Sequence, residues 1–231
     1  MGAAARAALP RAGEGPFAAG SGAAFALLRA GPALPPMPEA ERALLGPMVP
    51  ARRREFAWGR AAARAALARL GVAAGPLLPD ADRVPLWPEG VSGSISHSGP
   101  LCAAAACRGP VSVGLDIEEE GALAPDLWGA VLTRAELDRL PARPPGARAA
   151  AALAAFTAKE AVYKAHFPLH RTMFGFEAVE ISAQGEDGFL ARFPGREGPA
   201  WRPVRGLWRV GAGWIASGVL LGAARGRRRP S

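Results

Sequence analysis

The chain has 231 residues, a formal charge of +8, a half-hydrophobic composition and only two Cys. No apolar run approaches the roughly 20 residues that span a bilayer, which excludes an integral membrane protein. Two Cys exclude a disulfide framework or a structural zinc site of their own.

Residues 1 to about 38 are rich in Ala, Gly and Pro, with Phe25, Leu27 and Leu28 as their compact apolar cluster. Pro10, Gly13, Glu14 and Gly15 interrupt the start before a signal core could form, so a cytoplasmic location is the default. This segment reads as loose or partly strand-like. From Glu55 to Leu70, EFAWGRAAARAALARL predicts a helix: Phe56, Ala63, Leu67 and Leu70 recur near the helical period and Gly71 stops it. Arg52, Arg53 and Arg54 lead into it, with Arg60 and Arg64 one turn apart. Residues 71 to 90 are a Pro-punctuated loop that carries Arg83.

VSGSISHS (91 to 98) and LCAAAAC (101 to 107) read as two strands around the turn Gly99-Pro100, with both Cys as small buried residues. VSVGLDIE (111 to 118) alternates cleanly: Val111, Val113, Leu115 and Ile117 on one face, Ser112, Gly114, Asp116 and Glu118 on the other. Asp126 to Leu140 reads as a helix broken by PARPPG, and a second strong helix runs from about 147 to 166. FEAVEIS, GFLARF, GLWRV and GWIASGVLL complete a strand meander. A helix followed by strands, twice over, predicts an α+β fold of two lobes, residues 1–110 and 111–231, the second ending in a basic tail at 225–231. Four of the eight net charges lie in that tail, at Arg225, Arg227, Arg228 and Arg229, so a solvated terminus accounts for half of the basicity.

Three constellations stand out. Asp116 and Glu118, at i and i+2 of one strand, project from the same face about 7 Å apart. Oxygen ligands so held suit Mg²⁺, which keeps waters and substrate phosphate in its remaining positions; Gly114 beside them is expected to leave room for a bulky ligand. Alone, the pair reads at least as well as a solvated face at the start of the acidic run 118–120. The second is Lys159, Glu160 and Lys164. Glu160 and Lys164 at i, i+4 fit an ordinary helical ion pair worth about 0.3–0.5 kcal/mol. Yet Arg supplies every other basic side chain of the protein, and these are its only two Lys. A compact ammonium meets a phosphate as a point charge, as a planar guanidinium does not. The third, SISHS with Ser96 and His97, is unspecific by itself. His166 and His170 have Pro168 between them and no third ligand, so neither is read as a metal ligand. No G-x-S-x-G elbow, P-loop, GxGxxG loop or nucleic-acid-binding signature is present.

Taken in order across roughly residues 40 to 220, PARRREFAWGRAAARAAL, RVPLWPEGVSGSISHS, VSVGLDIE, FTAKEAVYKAHFPL and GFEAVEI resemble the Sfp-type 4'-phosphopantetheinyl transferases. The nearest branch serves siderophore and mycobacterial-type carrier proteins. The resemblance implies two pseudo-symmetric lobes, each a small, mostly antiparallel sheet packed with a long helix, with coenzyme A between them. It implies Mg²⁺ held by Asp116, Glu118 and Glu160, with Glu160 also the candidate base, and Lys159 and Lys164 as catalytic, phosphate-contacting lysines. Ser96 and His97 match a motif that contacts coenzyme A phosphate; Arg52, Arg60 and Arg83 resemble the basic residues around its 3'-phosphate and adenosine. Thr157 stands where Ser or Cys is commoner. The implied partners are acidic acyl or peptidyl carrier proteins, with no nucleic acid or membrane, and the implied state is a monomer. Two other classes fit the residues read alone: a different Mg²⁺-dependent phosphate-transfer or hydrolytic enzyme, and a basic nucleic-acid-binding protein.

Overall fold

The computed structural model describes residues 15–222; the expectations for residues 1–14 and for the basic tail 225–231 lie outside them. Strand β1 (Ala23–Arg29) carries the Phe25/Leu27 cluster into a three-stranded antiparallel sheet. A short helix α1 (Glu39–Arg42) leads to α2 (Pro50–Arg69), then β2 (Val91–Ser98) and β3 (Leu101–Arg108) complete the sheet in the order β1-β3-β2. The second sheet opens with β4 (Val111–Glu119). After it come α3 (Trp128–Val131), α4 (Arg134–Arg139) and the 26-residue α5 (Pro145–His170), then β5 (Glu180–Gln184), β6 (Gly188–Arg192), β7 (Val204–Gly211) and β8 (Trp214–Gly222). Its order, β4-β8-β7-β6-β5, is antiparallel throughout and leaves β4 at an edge.

The layers run α2, first sheet, second sheet, α5. Small residues bring them together. Ala104 and Ala106 of β3 pack with Ala62, Ala63, Ala66 and Leu67 of α2, while Ala103 and Ala105 on the other face meet Val113, Leu115 and Ile117 of β4. The apolar face of β4 is therefore buried as its alternation predicts. Its polar face is covered as well, because α5 lies across it.

Gly114 makes that crossing possible. A Cβ there would drive into the backbone carbonyl of Ala161 on α5. The expectation that Gly114 leaves room for a ligand is thus corrected: the missing side chain admits a helix backbone.

Two helices differ from expectation. The predicted helix over 126–140 is broken at Leu132 and Thr133. Thr133 starts α4 with a capping box, its hydroxyl accepting from the Glu136 amide while the Glu136 carboxylate accepts from the Thr133 amide. Helix α5 runs through Pro168 instead of stopping at 166. Pro168 has no N–H to give to the Lys164 carbonyl. Packing holds the last turn: His166 is enclosed by Phe174, Phe193 and Trp201, with its ring stacked on Trp201 at 4.8 Å. Similarly, α2 begins five residues before the predicted start, at Pro50, whose fixed φ suits a first helical position.

Gly114→Ala is expected to destabilise the protein by about 1–3 kcal/mol, because the atom in the way is backbone and cannot rotate aside. A lower urea midpoint at unchanged slope would register it; an unchanged midpoint would contradict the close approach.

Candidate active site

Even-numbered side chains of β2 point toward the free edge of β4. Ser94 Oγ donates to the Leu115 carbonyl, Ser96 Oγ accepts from the Ile117 amide, and Ser98 Oγ accepts from the Glu119 amide. The hydroxyls thus satisfy a strand edge that has no backbone partner. Two of them reach further: Ser96 donates to Asp116 Oδ1 (2.7 Å) and Ser98 to Glu118 Oε2 (2.6 Å).

From the opposite side α5 brings Lys164, whose ammonium lies 2.6 Å from Asp116 Oδ1 and 3.1 Å from Ser96 Oγ. Lys164 therefore pairs across elements with Asp116 and not with Glu160 one turn before it. Burial by itself would lower the Lys164 pKa, but Asp116, with Glu160 and Glu118 beyond, raises it above the ordinary lysine value. The ammonium stays charged.

The sequence-predicted metal ligands gather here. Asp116 is 2% exposed, and its Oδ2 has no hydrogen-bond partner. Burial pushes Glu118 up to about 7, with the charge of Asp116 adding to it and the Ser98 bond opposing it. Burial also raises Glu160; Lys164 works against this and Asp116 with it. Among the described residues no three such ligands stand close enough together to enclose an ion. They form three neighbouring carboxylates with one ammonium among them. An all-oxygen set, a buried carboxylate atom without a donor, and the carboxyl groups of Glu118 and Glu160 raised by burial all fit a hard divalent cation.

Lys159 is placed elsewhere. Its Nζ is buried 2.7 Å from Glu136 Oε2 and donates to the carbonyls of Val131 (2.8 Å) and Phe176 (2.9 Å). Burial lowers its pKa, against the pull of Glu136. Three acceptors around one nitrogen match the three protons of an ammonium, which explains Lys over Arg here without any phosphate. Glu136 also accepts from the Ile181 amide, so this pair ties α3, α4, α5 and β5 together. Sequence reasoning passed over Glu136, although Thr-x-x-Glu at 133–136 is a helix-start signature.

The basic residues divide in the same way. Arg60 is almost buried, donates to the Leu77 carbonyl, and lies 4.3 Å over the Phe56 ring; burial lowers it to about 10. It props the loop that follows α2. Arg52 is exposed in the first turn of α2 and donates to His97 Nε2 at 3.0 Å. Burial first, then Arg52 among the nearby charges, lowers His97, with Glu55 opposing. His97 and Ser96 point to opposite faces of β2. Arg83 is exposed at a loop tip, with left-handed backbone (φ 66°). Beside Glu160, a groove of about 250 Å³ is lined by the Lys159 stem, Tyr163, Met173, Phe174 and Phe176; its aromatic walls were not foreseen. Thr157 bonds Ser217 of β8 at 2.7 Å.

Two adjoining family patterns match: the 4'-phosphopantetheinyl transferase N-terminal domain over residues 40–107, and the 4'-phosphopantetheinyl transferase superfamily over 112–210. The chain is 36% identical over 201 residues to 4'-phosphopantetheinyl transferase PptT of Mycobacterium tuberculosis, covering 82% of this chain and 88% of that one. The chain belongs to the 4'-phosphopantetheinyl transferases. Svp of Streptomyces mobaraensis, another transferase of this name, is 35% identical over 83% of this chain and 81% of its own. Enterobactin synthase component D of Salmonella typhi is 39% identical over 57% and 55%. The protein is thus an enzyme of the transferase class, built on the α+β sheet-and-helix pairs described above. Among its described residues no helix is long and apolar enough to cross a membrane.

In this transferase the two Lys should separate by assay. Lys159→Ala leaves Glu136 buried and unpaired, a loss of about 3–5 kcal/mol in stability. Lys164→Ala also costs stability, because it takes the ammonium from the buried Asp116, but it should in addition remove most turnover from the protein that remains folded. The two are therefore read by chemical denaturation and by the rate of the folded fraction. Equal losses of turnover in the folded fractions would contradict the division.

His166 gives a pH test. Burial, then its neighbour His170, lowers it from 6.5 to about 4. The unfolded chain takes up this proton below about pH 6.5 and the folded one only near 4, so stability should fall as pH drops through that window. His166→Phe should flatten the decline between pH 6.5 and 4 in thermal melts; an unchanged slope would show that His166 does not contribute.

Proposed function

We propose that this enzyme transfers the 4'-phosphopantetheine group of coenzyme A to a serine of an apo acyl or peptidyl carrier protein, releasing adenosine 3',5'-bisphosphate. The observation that carries the reading is the convergence of Asp116 and Glu118 from β4 with Glu160 and Lys164 from α5, in a chain of this family.

Asp116, Glu118 and Glu160 are the residues that would hold Mg²⁺. When bound, the cation offsets pyrophosphate charge as a Lewis acid. Lys164 adds a fixed positive charge beside the phosphates, where charge grows on the leaving group. Glu160 has no hydrogen-bond partner among the described residues, and its raised pKa suits a base that takes the proton of the carrier serine. The serine oxygen bonds to the β-phosphorus as the bond to the bridging oxygen breaks, in line, and the electron pair leaves with adenosine 3',5'-bisphosphate. Catalysis rests on positioning and electrostatics, with no covalent enzyme intermediate.

The groove beside Glu160 suits the flexible pantetheine arm, since aromatic walls receive its methylenes and gem-dimethyl group. Arg52 at the start of α2 and His97 of β2, with Arg83 on its loop, supply cationic and polar groups for the 3'-phosphate. A net charge of +8 would assist encounter with an acidic carrier. The enzyme is proposed to act as a cytoplasmic monomer, with its two lobes, 1–110 and 111–231, supplied by one chain.

Incubation with coenzyme A, Mg²⁺ and an apo carrier should add roughly 340 Da to the carrier, read by intact mass. Asp116→Ala and Glu160→Ala should abolish this while the protein stays folded, whereas removal of residues 225–231 should leave it. No addition with a panel of carriers would overturn the reading.

A further inference from the structure

Among the described residues, only two that are not glycine have left-handed backbone, Arg83 (φ 66°) and Arg171 (φ 49°). Such a conformation costs an ordinary side chain about 1–2 kcal/mol and persists only where the surroundings fix it. The two lie in different lobes, on either side of the same contact. Arg171 caps the C-terminus of α5, its amide donating to the Phe167 carbonyl. Its guanidinium reaches across to the loop after α2: Nη2 lies 2.8 Å from Asp80 Oδ2 and Nη1 2.7 Å from Asp82 Oδ2.

That loop is anchored on both sides of its tip, at Leu77 and at Asp80. The amide of Leu77 donates to the buried Glu41 carboxylate, and the Leu77 carbonyl accepts from Arg60. Asp80 Oδ1 accepts from the amides of Asp82 and Val84, and the Asp80 carbonyl accepts from Arg83 N–H. Asp80 thus folds the turn, and its second oxygen hands the turn to the other lobe. Arg83 stands inside this frame with an exposed side chain.

We propose that Arg171 is a positioning residue for coenzyme A recognition: it straps the Arg83 loop to the end of α5 and so fixes Arg83 for the 3'-phosphate. The inference rests on the function proposed above and assigns that function a cross-lobe part. The helix that carries Glu160 and Lys164 toward the reacting phosphates then also sets, about three and two turns further on, the group that reads the far end of the same substrate. An exposed ion pair contributes little to stability, so its worth here is geometric. A fork held by two carboxylates fixes the loop in orientation as well as distance.

The test compares coenzyme A with 3'-dephospho-coenzyme A as donors to an apo carrier, using the full chain. Arg171→Asn removes the fork but keeps a residue that tolerates left-handed backbone. Asp82→Ala removes one carboxylate that has no other bond and leaves the Asp80 turn intact. Each should raise KM for coenzyme A roughly three- to tenfold at unchanged kcat, while the constants for the dephospho donor stay at the wild-type level. Arg83→Ala should reduce the preference for coenzyme A by more than either strap variant, with Arg52 and His97 retaining a part of it. Unchanged KM in both strap variants, or equal rises for both donors, would overturn the proposal. If Arg83→Ala lowers the preference and the strap variants keep it, Arg83 reads the phosphate without help and the strap falls alone. Absence of transfer from either donor by the unaltered protein would instead sink the proposed function.

Discussion

The buried carboxylate of Asp116 is the constraint around which the molecule is arranged. A charge at 2% exposure is tolerated only when opposite charge and hydrogen-bond donors surround it. Each of its two partners on Oδ1 recruits a layer of the fold. Lys164 must come from α5, which requires that helix to lie against β4, which requires Gly114. Ser96 must come from β2, which requires the first sheet to meet the edge of β4. Remove the charge and both side chains lose their shared acceptor, while the apolar contacts of α5 and of the first sheet still hold the layers together.

Much of this was legible in the sequence because it rested on local regularities. Alternation in VSVGLDIE fixed which residues of β4 share a face, and the apolar period of α2 located that helix. What escaped was decided by tertiary partners. The helix over 126–140 is split because the Val131 carbonyl goes to Lys159 and Glu136 caps a new start, and neither contact leaves a periodic trace. Pro168 signals a stop, yet the last turn of α5 survives on the packing of His166 with Trp201 and Phe174. Gly114 was visible as a gap, but its alternation could not say whether a ligand or a helix would fill it.

The site was legible in its carboxylates and only half legible in its cations. Against a background of Arg, two Lys drew attention to positions 159 and 164. Composition singled them out without giving a reason for either. Lys159 sits in a closed pocket of three oxygen acceptors that match the three protons of an ammonium, and Lys164 faces the Asp116 carboxylate and the Ser96 hydroxyl. Arg60 teaches the same lesson in reverse: a basic residue that the resemblance assigned to coenzyme A is spent on a backbone carbonyl. Burial, which sequence reports poorly for long side chains, separates the two uses.

The alanines of β3 have a consequence for reach. A sheet faced with methyl groups sits nearer to its neighbour than one faced with Val or Leu, so the bridging side chains along β2 need only the length of a serine. With bulkier residues at 103 and 105 the gap would call for Asn or Gln, and this chain has no Asn and a single Gln. The thickness of an apolar strand thereby sets which polar residue can touch Asp116. A chain written largely in Ala, Gly, Pro and Arg meets that requirement with its shortest hydroxyl.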